Sequence, residues 1–170
     1  MSKEPEHHLL LVDQDLDYLD WATKHLCAEG LKILRCDSAD KASQVIKKIP
    51  IDVVICDIKL DPFDGVELLQ LIRASSPETI TILTAVSPAT SQIIEATQKG
   101  ALDVLRKESL AFELRQVVES ALQTVDQRRD LGPLSDQRPG LTGKTTIIGI
   151  SRPLQDVTKV VGRGARSDVP

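Results

Sequence analysis

No stretch of this chain is apolar for long enough to span a bilayer, and in MSKEPEHHLLLV the apolar run is too short for a secretory signal. A soluble, cytoplasmic protein with no membrane partner is expected. Cysteine is sparse: Cys27, Cys36 and Cys56 form an odd set without C-x-x-C spacing, each among apolar residues. Such a pattern favours buried thiols in a reducing compartment over disulfides or a zinc site. Positive charge is not in excess, since 21 Lys and Arg face 25 Asp and Glu for a net charge of -4. That leaves no general field to neutralise nucleic-acid phosphates, so DNA binding by these residues is not expected. No G-x-x-x-x-G-K-[ST] occurs, and GLTGKTT near residue 140 lacks its spacing, so ATP hydrolysis is not expected either. Internal repeats and low-complexity tracts are also missing.

What is present is a chain of 170 residues, 41% hydrophobic and 27% charged, enough for one well-packed domain and something smaller. Short apolar runs alternate with helix-periodic stretches. Strands are predicted over His8 to Val12, Leu31 to Leu34, Val53 to Cys56, Ile80 to Leu83 and Leu102 to Leu105. Helices are predicted over Leu16 to Ala28, from an N-cap at Ser38 to about Lys48, over Gly65 to Ala74, from Pro88 to Lys99, and from near Ser109 onward. Strands apolar along their whole length, each followed by a helix, predict a doubly wound five-stranded parallel sheet covered on both faces. The order 2-1-3-4-5 suits five such units, and it places ligands outside the carboxyl ends of the strands, between the first and third.

The residues leaving those ends are Asp13, Gln14 and Asp15 after the first strand, Asp57 after the third, Thr84 after the fourth and Lys107 after the fifth. A carboxylate pair offers hard oxygen ligands of the kind Mg²⁺ takes, completed by carbonyls, waters and phosphate oxygens. A further carboxylate can act as nucleophile toward phosphorus, and Asp57 is the candidate. Lys107 would neutralise one phosphoryl oxygen and Thr84 would donate a hydrogen bond to another, so positioning and charge supply the catalysis. Singly, each residue could be a turn former or a helix cap. Four suitable types at four strand ends make the joint functional reading the better one.

The stretches LLLVDQD, DVVICDIKLDPFDGVELL, TILTA and GALDVLRKES resemble the signatures of response-regulator receiver domains, over about residues 8 to 125. The resemblance implies the flavodoxin-like receiver fold, with Asp57 phosphorylated by a sensor histidine kinase and Mg²⁺ held by Asp13, Asp57 and the backbone carbonyl of Lys59. It also makes Thr84 the switch hydroxyl and Lys107 the phosphate-pairing lysine. Four positions depart from the pattern: Gln14 replaces a second acidic metal ligand, Val104 an aromatic switch residue and Glu108 a proline, and Asp61-Pro62 stands where Pro-Gly is common. Gln14, or Asp15 turning inward, is expected to complete the metal site, and the Lys107-Glu108 peptide is expected to be trans.

The last predicted helix, SLAFELRQVVESALQTVDQRR, carries Leu110, Val117 and Leu122 on one side. Leu114, Val118, Ala121 and Val125 recur at near-heptad spacing on an adjoining side. One side is expected to pack on the sheet and the other to meet a second copy, within a homodimer using helix four, strand five and helix five. Arg128 and Arg129 are expected to form a solvated helix end. Residues 7–127 are thus expected to form the receiver domain, and 128–146, rich in Pro, Gly and polar residues, a linker. The segment IIGISRPLQDVTKVVGRGARSDVP, 147–170, is similar to the opening of the AAA+ ATPase domain of sigma-54-dependent activators of the nitrogen-regulator C type. By that likeness it is a truncated start, and DNA and the sigma-54 polymerase would be met only through domains outside this chain. Two rivals stand beside the phosphoacceptor. One is a receiver-like dimerisation or inhibitory module working without phosphate, in keeping with Gln14, Val104 and Glu108. The other is an aspartate phosphohydrolase, disfavoured because Lys59 occupies the place of its acid/base aspartate.

Overall fold

The computed structural model describes residues 7–131. Strands β1 (His7–Val12), β2 (Leu31–Cys36), β3 (Val53–Asp57), β4 (Ile80–Ala85) and β5 (Asp103–Arg106) alternate with helices α1 (Leu16–Leu26), α2 (Ala39–Lys48), α3 (Gly65–Ser75), α4 (Thr90–Gln98) and α5 (Ala111–Asp130). All four neighbouring pairs are parallel, in the order β2-β1-β3-β4-β5. The flavodoxin-like architecture follows the alternation in the sequence. No helix among the described residues is long and apolar enough to cross a membrane.

Alternate residues of each strand feed two separate cores, as a side-chain period of two requires. Leu10, Val12, Val54, Cys56 and Leu83 face α2, α3 and α4, while Leu9, Leu11, Val53, Ile55 and Ile82 face α1 and α5. Each fully buried Leu, Ile or Val contributes about 1.5–3 kcal/mol. An exposed pair such as Lys41 with Asp37 is screened by solvent and adds little, so aliphatic packing holds the fold.

Element ends depart from the predicted ones where local bonding decides. α1 stops at Leu26, because Cys27 adopts φ -57 and ψ 120. Cys27 is therefore exposed, against the expectation for all three cysteines, whereas Cys36 and Cys56 are buried. β2 runs two residues further than predicted, since Arg35 and Cys36 still pair with Leu11 and Val12. α4 starts after Ala89, whose N–H donates to the Gln92 side chain, so Pro88 precedes the helix rather than opening it.

Burial decides which side of α5 faces the sheet. Leu114, Val118, Ala121 and Val125 are buried together with Val117 in the core under α1 and α5, and Leu122 packs against the same cluster. The near-heptad row is the sheet-facing side and is not available to a partner. α5 also continues to Asp130, into the stretch expected as linker. Arg129 pairs with Asp52 at 2.7 Å and Arg128 donates to the Glu78 carbonyl at 3.3 Å, so the expected solvated end is tied to the base of the sheet. The rest of that linker and the segment at 147–170 lie outside the described residues.

Gly65 opens α3 directly beneath the end of β3. Its N–H donates to the Ile58 carbonyl at 2.9 Å, and a Cβ there would collide with the Asp57 carbonyl oxygen. The collision is with backbone, so relief requires moving the strand end. Gly65→Ala is expected to destabilise the domain by about 1–3 kcal/mol, measured by urea unfolding followed by circular dichroism.

Candidate functional site

Parallel register carries the strand ends to one level. Val12 pairs with Cys56 and Asp57 with Thr84, so the residues that leave β1 and β3 lie side by side above the sheet. Backbone bonds fix the first residue beyond each of three strands: Asp13 N–H donates to Cys36, Ile58 N–H to Thr84 and Lys107 N–H to Ala85, at 3.0, 2.8 and 2.9 Å.

Asp13, Asp57, Thr84 and Lys107 are brought together as expected. The Lys107 ammonium lies 2.7 Å from Asp57 Oδ2 and 2.7 Å from Asp13 Oδ2. Asp57 Oδ1 accepts from the Lys59 N–H at 3.2 Å, and Asp13 Oδ1 accepts from the Asp15 N–H at 2.8 Å. Both carboxylates are nearly out of solvent, Asp13 at 2% exposure and Asp57 at 8%. Thr84 is fully buried.

The electrostatics follow from that geometry. Burial pushes the Asp13 carboxyl above its usual value, with Lys107 pulling the other way. Burial works against the Lys107 ammonium too, but its hydrogen bonds to Asp13 and Asp57 outweigh it and hold its pKa above the ordinary lysine value. Two carboxylates sharing one ammonium leave a single negative charge uncompensated, which favours a cation or an electrophilic phosphorus above the strand ends.

The expected metal set is only partly assembled. Asp15 does not turn inward: it caps α1, its carboxylate accepting from the Asp17 and Tyr18 N–H groups at 3.0 and 3.1 Å. Gln14 is exposed and donates from Nε2 to Asp61 Oδ2 at 3.4 Å. Among the described residues no group of three His, Cys, Asp or Glu side chains could hold a metal alone. The two buried carboxylates, Asp13 and Asp57, offer hard oxygens that suit a cation which keeps waters and binds phosphate oxygens. Val104 is fully buried in the core on the α4 side, with Ala85, Ile93 and Ala96. Asp61-Pro62 is the single cis peptide among the described residues, so Lys107-Glu108 is trans, as expected.

Two residues near the site escaped the sequence reading. Asp61 is one, reached through Gln14. Tyr18 is the other, its ring 5.1 Å from the Lys107 ammonium and its hydroxyl beside Thr84. Burial, then the charges of Asp13 and Asp57, raise its pKa above the ordinary tyrosine value. The available signal was a lone tyrosine placed three residues after the Asp15 cap, on the first turn of α1.

A doubly wound α/β domain with two carboxylates, a lysine and a threonine at its strand ends defines the class. Residues 9–119 match the response regulator receiver domain, and the chain belongs to that family. Transcriptional regulatory protein GlrR of Escherichia coli K12 is 29% identical over 138 residues, which are 81% of this chain and 30% of that protein. The DNA-binding transcriptional regulator NtrC of the same organism is 30% identical over 140 residues, 80% of this chain and 29% of that protein. The chain thus spans about 30% of the length of these curated relatives. Among solved structures, the signal receiver domain of an HD domain-containing protein from Pseudomonas fluorescens Pf-5 superposes with TM-score 0.70 at 25% identity, covering 76% of this chain and 96% of that one.

Lys107 holds its proton more tightly in the folded chain than in the unfolded one. Its stabilising share is complete below 10.5 and is lost as pH rises through the higher folded value. Tyr18 acts with the same sign. Unfolding free energy is therefore expected to fall as pH rises above about 10, and to fall less in Lys107→Met, in urea titrations of both proteins.

Proposed function

We propose that the chain is a phosphoacceptor switch in which Asp57 takes a phosphoryl group from a sensor histidine kinase. The observation that carries this reading is the Lys107 ammonium held 2.7 Å from both Asp57 and Asp13, beside the buried Thr84. An Asp57 carboxylate oxygen attacks phosphorus, the bond from phosphorus to the donor nitrogen breaks, and its electron pair leaves with the imidazole, which takes up a proton. Once that oxygen is phosphorylated, the Asp57 carboxyl is part of an acyl phosphate and no longer carries the charge that held Lys107. The ammonium then pairs with a phosphoryl oxygen, and Thr84 donates its hydroxyl to another. A Mg²⁺ ion would be held by Asp13, Asp57 and the Lys59 carbonyl, and when bound would neutralise phosphoryl charge.

In the regulators that this chain resembles, the receiver is one part of a longer transcriptional regulator, so the switch here is assigned to control of a sigma-54-dependent activator. Exposed Ile94 on α4, Leu102 before β5, and Leu110 and Phe112 at the start of α5 favour docking of two copies across the α4-β5-α5 face. Movement of Thr84 at the end of β4 would bias that face between two arrangements. On this reading the receiver extends from 7 to the end of α5 at Asp130, a linker follows to 146, and 147–170 begins an AAA+ domain.

A second reading, a receiver-like module that works without phosphate, is favoured by Gln14 and by Asp15 being spent on the α1 cap. One experiment separates the two. Incubation with acetyl phosphate and Mg²⁺ is expected to add one phosphoryl group by intact mass, and none to Asp57→Asn. Gln14→Asp is expected to lower the Mg²⁺ concentration for half-maximal labelling several-fold, since it restores a charged ligand. Absence of label in the unaltered chain at saturating Mg²⁺ would establish the second reading. For the docking face, Phe112→Glu is expected to weaken self-association of the phosphorylated chain at least tenfold in sedimentation equilibrium, because it places a charge in a desolvated contact.

A further inference from the structure

We propose that Tyr18 is a positioning residue for phosphoryl transfer, its ring fixing the Lys107 ammonium against Asp13 and Asp57. The inference rests on the phosphoacceptor reading and assigns one more residue to that site.

Tyr18 is tied to the site through its backbone. Asp13 Oδ1 accepts from Asp15 N–H at 2.8 Å, and Asp15 Oδ1 accepts from Tyr18 N–H at 3.1 Å. The first turn of α1 therefore cannot shift without disturbing Asp13. Lys107 lies 5.1 Å from the ring centroid, within the range where an aromatic face attracts a cation. Trp21 stacks on Tyr18 with centroids 5.6 Å apart, and His25 lies 4.8 Å from Trp21. The three rings recur one turn apart along one side of α1, so the Tyr18 ring is braced rather than free to rotate.

Lysine needs such a brace. Its ammonium is a point charge on a flexible four-carbon stem, whereas phosphoryl transfer requires it at a fixed place beside the acceptor. In this chain β5 supplies no ring near the site, because Val104 is aliphatic and buried on the other side of the sheet from α1. The aromatic side chain beside Lys107 and Thr84 comes from α1 instead. When Asp57 is esterified, the ring holds Lys107 above the strand ends while the ammonium exchanges a carboxylate partner for a phosphoryl one.

The test compares Tyr18→Phe, which keeps the ring, with Tyr18→Leu, which keeps apolar bulk only, in the whole 170-residue chain. Labelling rates at saturating Mg²⁺ are measured across acetyl phosphate concentrations. Proton NMR shifts of the Lys107 ε-methylene are recorded without donor, and thermal midpoints by circular dichroism. Tyr18→Leu is expected to lower the maximal rate about fivefold, with the half-saturating donor concentration within about twofold of the unaltered chain. Tyr18→Phe should restore the rate to within about twofold. The ε-methylene protons should be shifted upfield by the ring in the unaltered chain and Tyr18→Phe, and not in Tyr18→Leu. Equal rates for leucine and the unaltered chain, an equal loss for phenylalanine and leucine, or a loss that only tracks the thermal midpoint would overturn the assignment. If the unaltered chain takes no label, the phosphoacceptor reading fails. The ring-current shift still decides whether Tyr18 holds Lys107, and its absence from the unaltered chain refutes that.

Discussion

Two carboxylates share one ammonium at the carboxyl edge of the sheet, and much of the local architecture serves that contact. Asp13 and Asp57 come from adjacent strands and repel one another, and burial makes each charge more expensive. Lys107 relieves both at 2.7 Å, yet it arrives from β5, two strands away from β3. Its stem must therefore pass over the end of β4, where a larger residue than Thr84 would stand in the way. The sheet order, the parallel register and a small hydroxyl residue at position 84 are one linked requirement.

The fold keeps this arrangement apart from the source of its stability. Strand interiors are aliphatic on both faces, and the polar residues gather just beyond them. Close backbone contact seals the junction: Gly65 lets the start of α3 rest on the Asp57 carbonyl, and the Asp64 and Glu67 capping box fixes that helix end. At the opposite edge, Asp52 accepts from the His8 N–H and pairs with Arg129, clamping the end of α5 to β1 and β3. The end of α5 is thus anchored to the sheet edge opposite the functional site.

Strand runs, helix alternation, sheet order and the four strand-end residues were all legible in the sequence. They depend on short-range hydrophobic period and on a topology with few alternatives. Less was legible where a residue had two possible partners. Asp15 could face a metal or cap α1, and the free N–H groups of the helix start took it. The row Leu114, Val118, Ala121 and Val125 could seam a dimer or face the sheet, and spacing alone does not separate a heptad from a helix lying on strands. Cys27 looked apolar in context but falls one residue past the last core position of α1. Tyr18 was hidden because its neighbour Lys107 is 89 positions away in sequence, with several strands and helices between them.

Gln14 is best understood through the charge balance of the same contact. With an acid at that position, a third carboxylate would stand close to the pair that shares Lys107 and add to their repulsion. With glutamine, the carboxylates held by Lys107 number two, and the amide instead donates to Asp61 on the loop after β3. One charge fewer lessens that repulsion and, by the same Coulombic sign, would weaken the attraction for a divalent cation. In the proposed phosphoacceptor, stabilisation of phosphoryl oxygens would then fall more heavily on Lys107 and Thr84, so that placing a flexible lysine side chain becomes the limiting structural demand. The aromatic face that α1 sets 5.1 Å from Lys107 would meet that demand without adding charge, so in the proposed switch the neutral residue at 14 and the ring at 18 would act on one electrostatic problem from two sides.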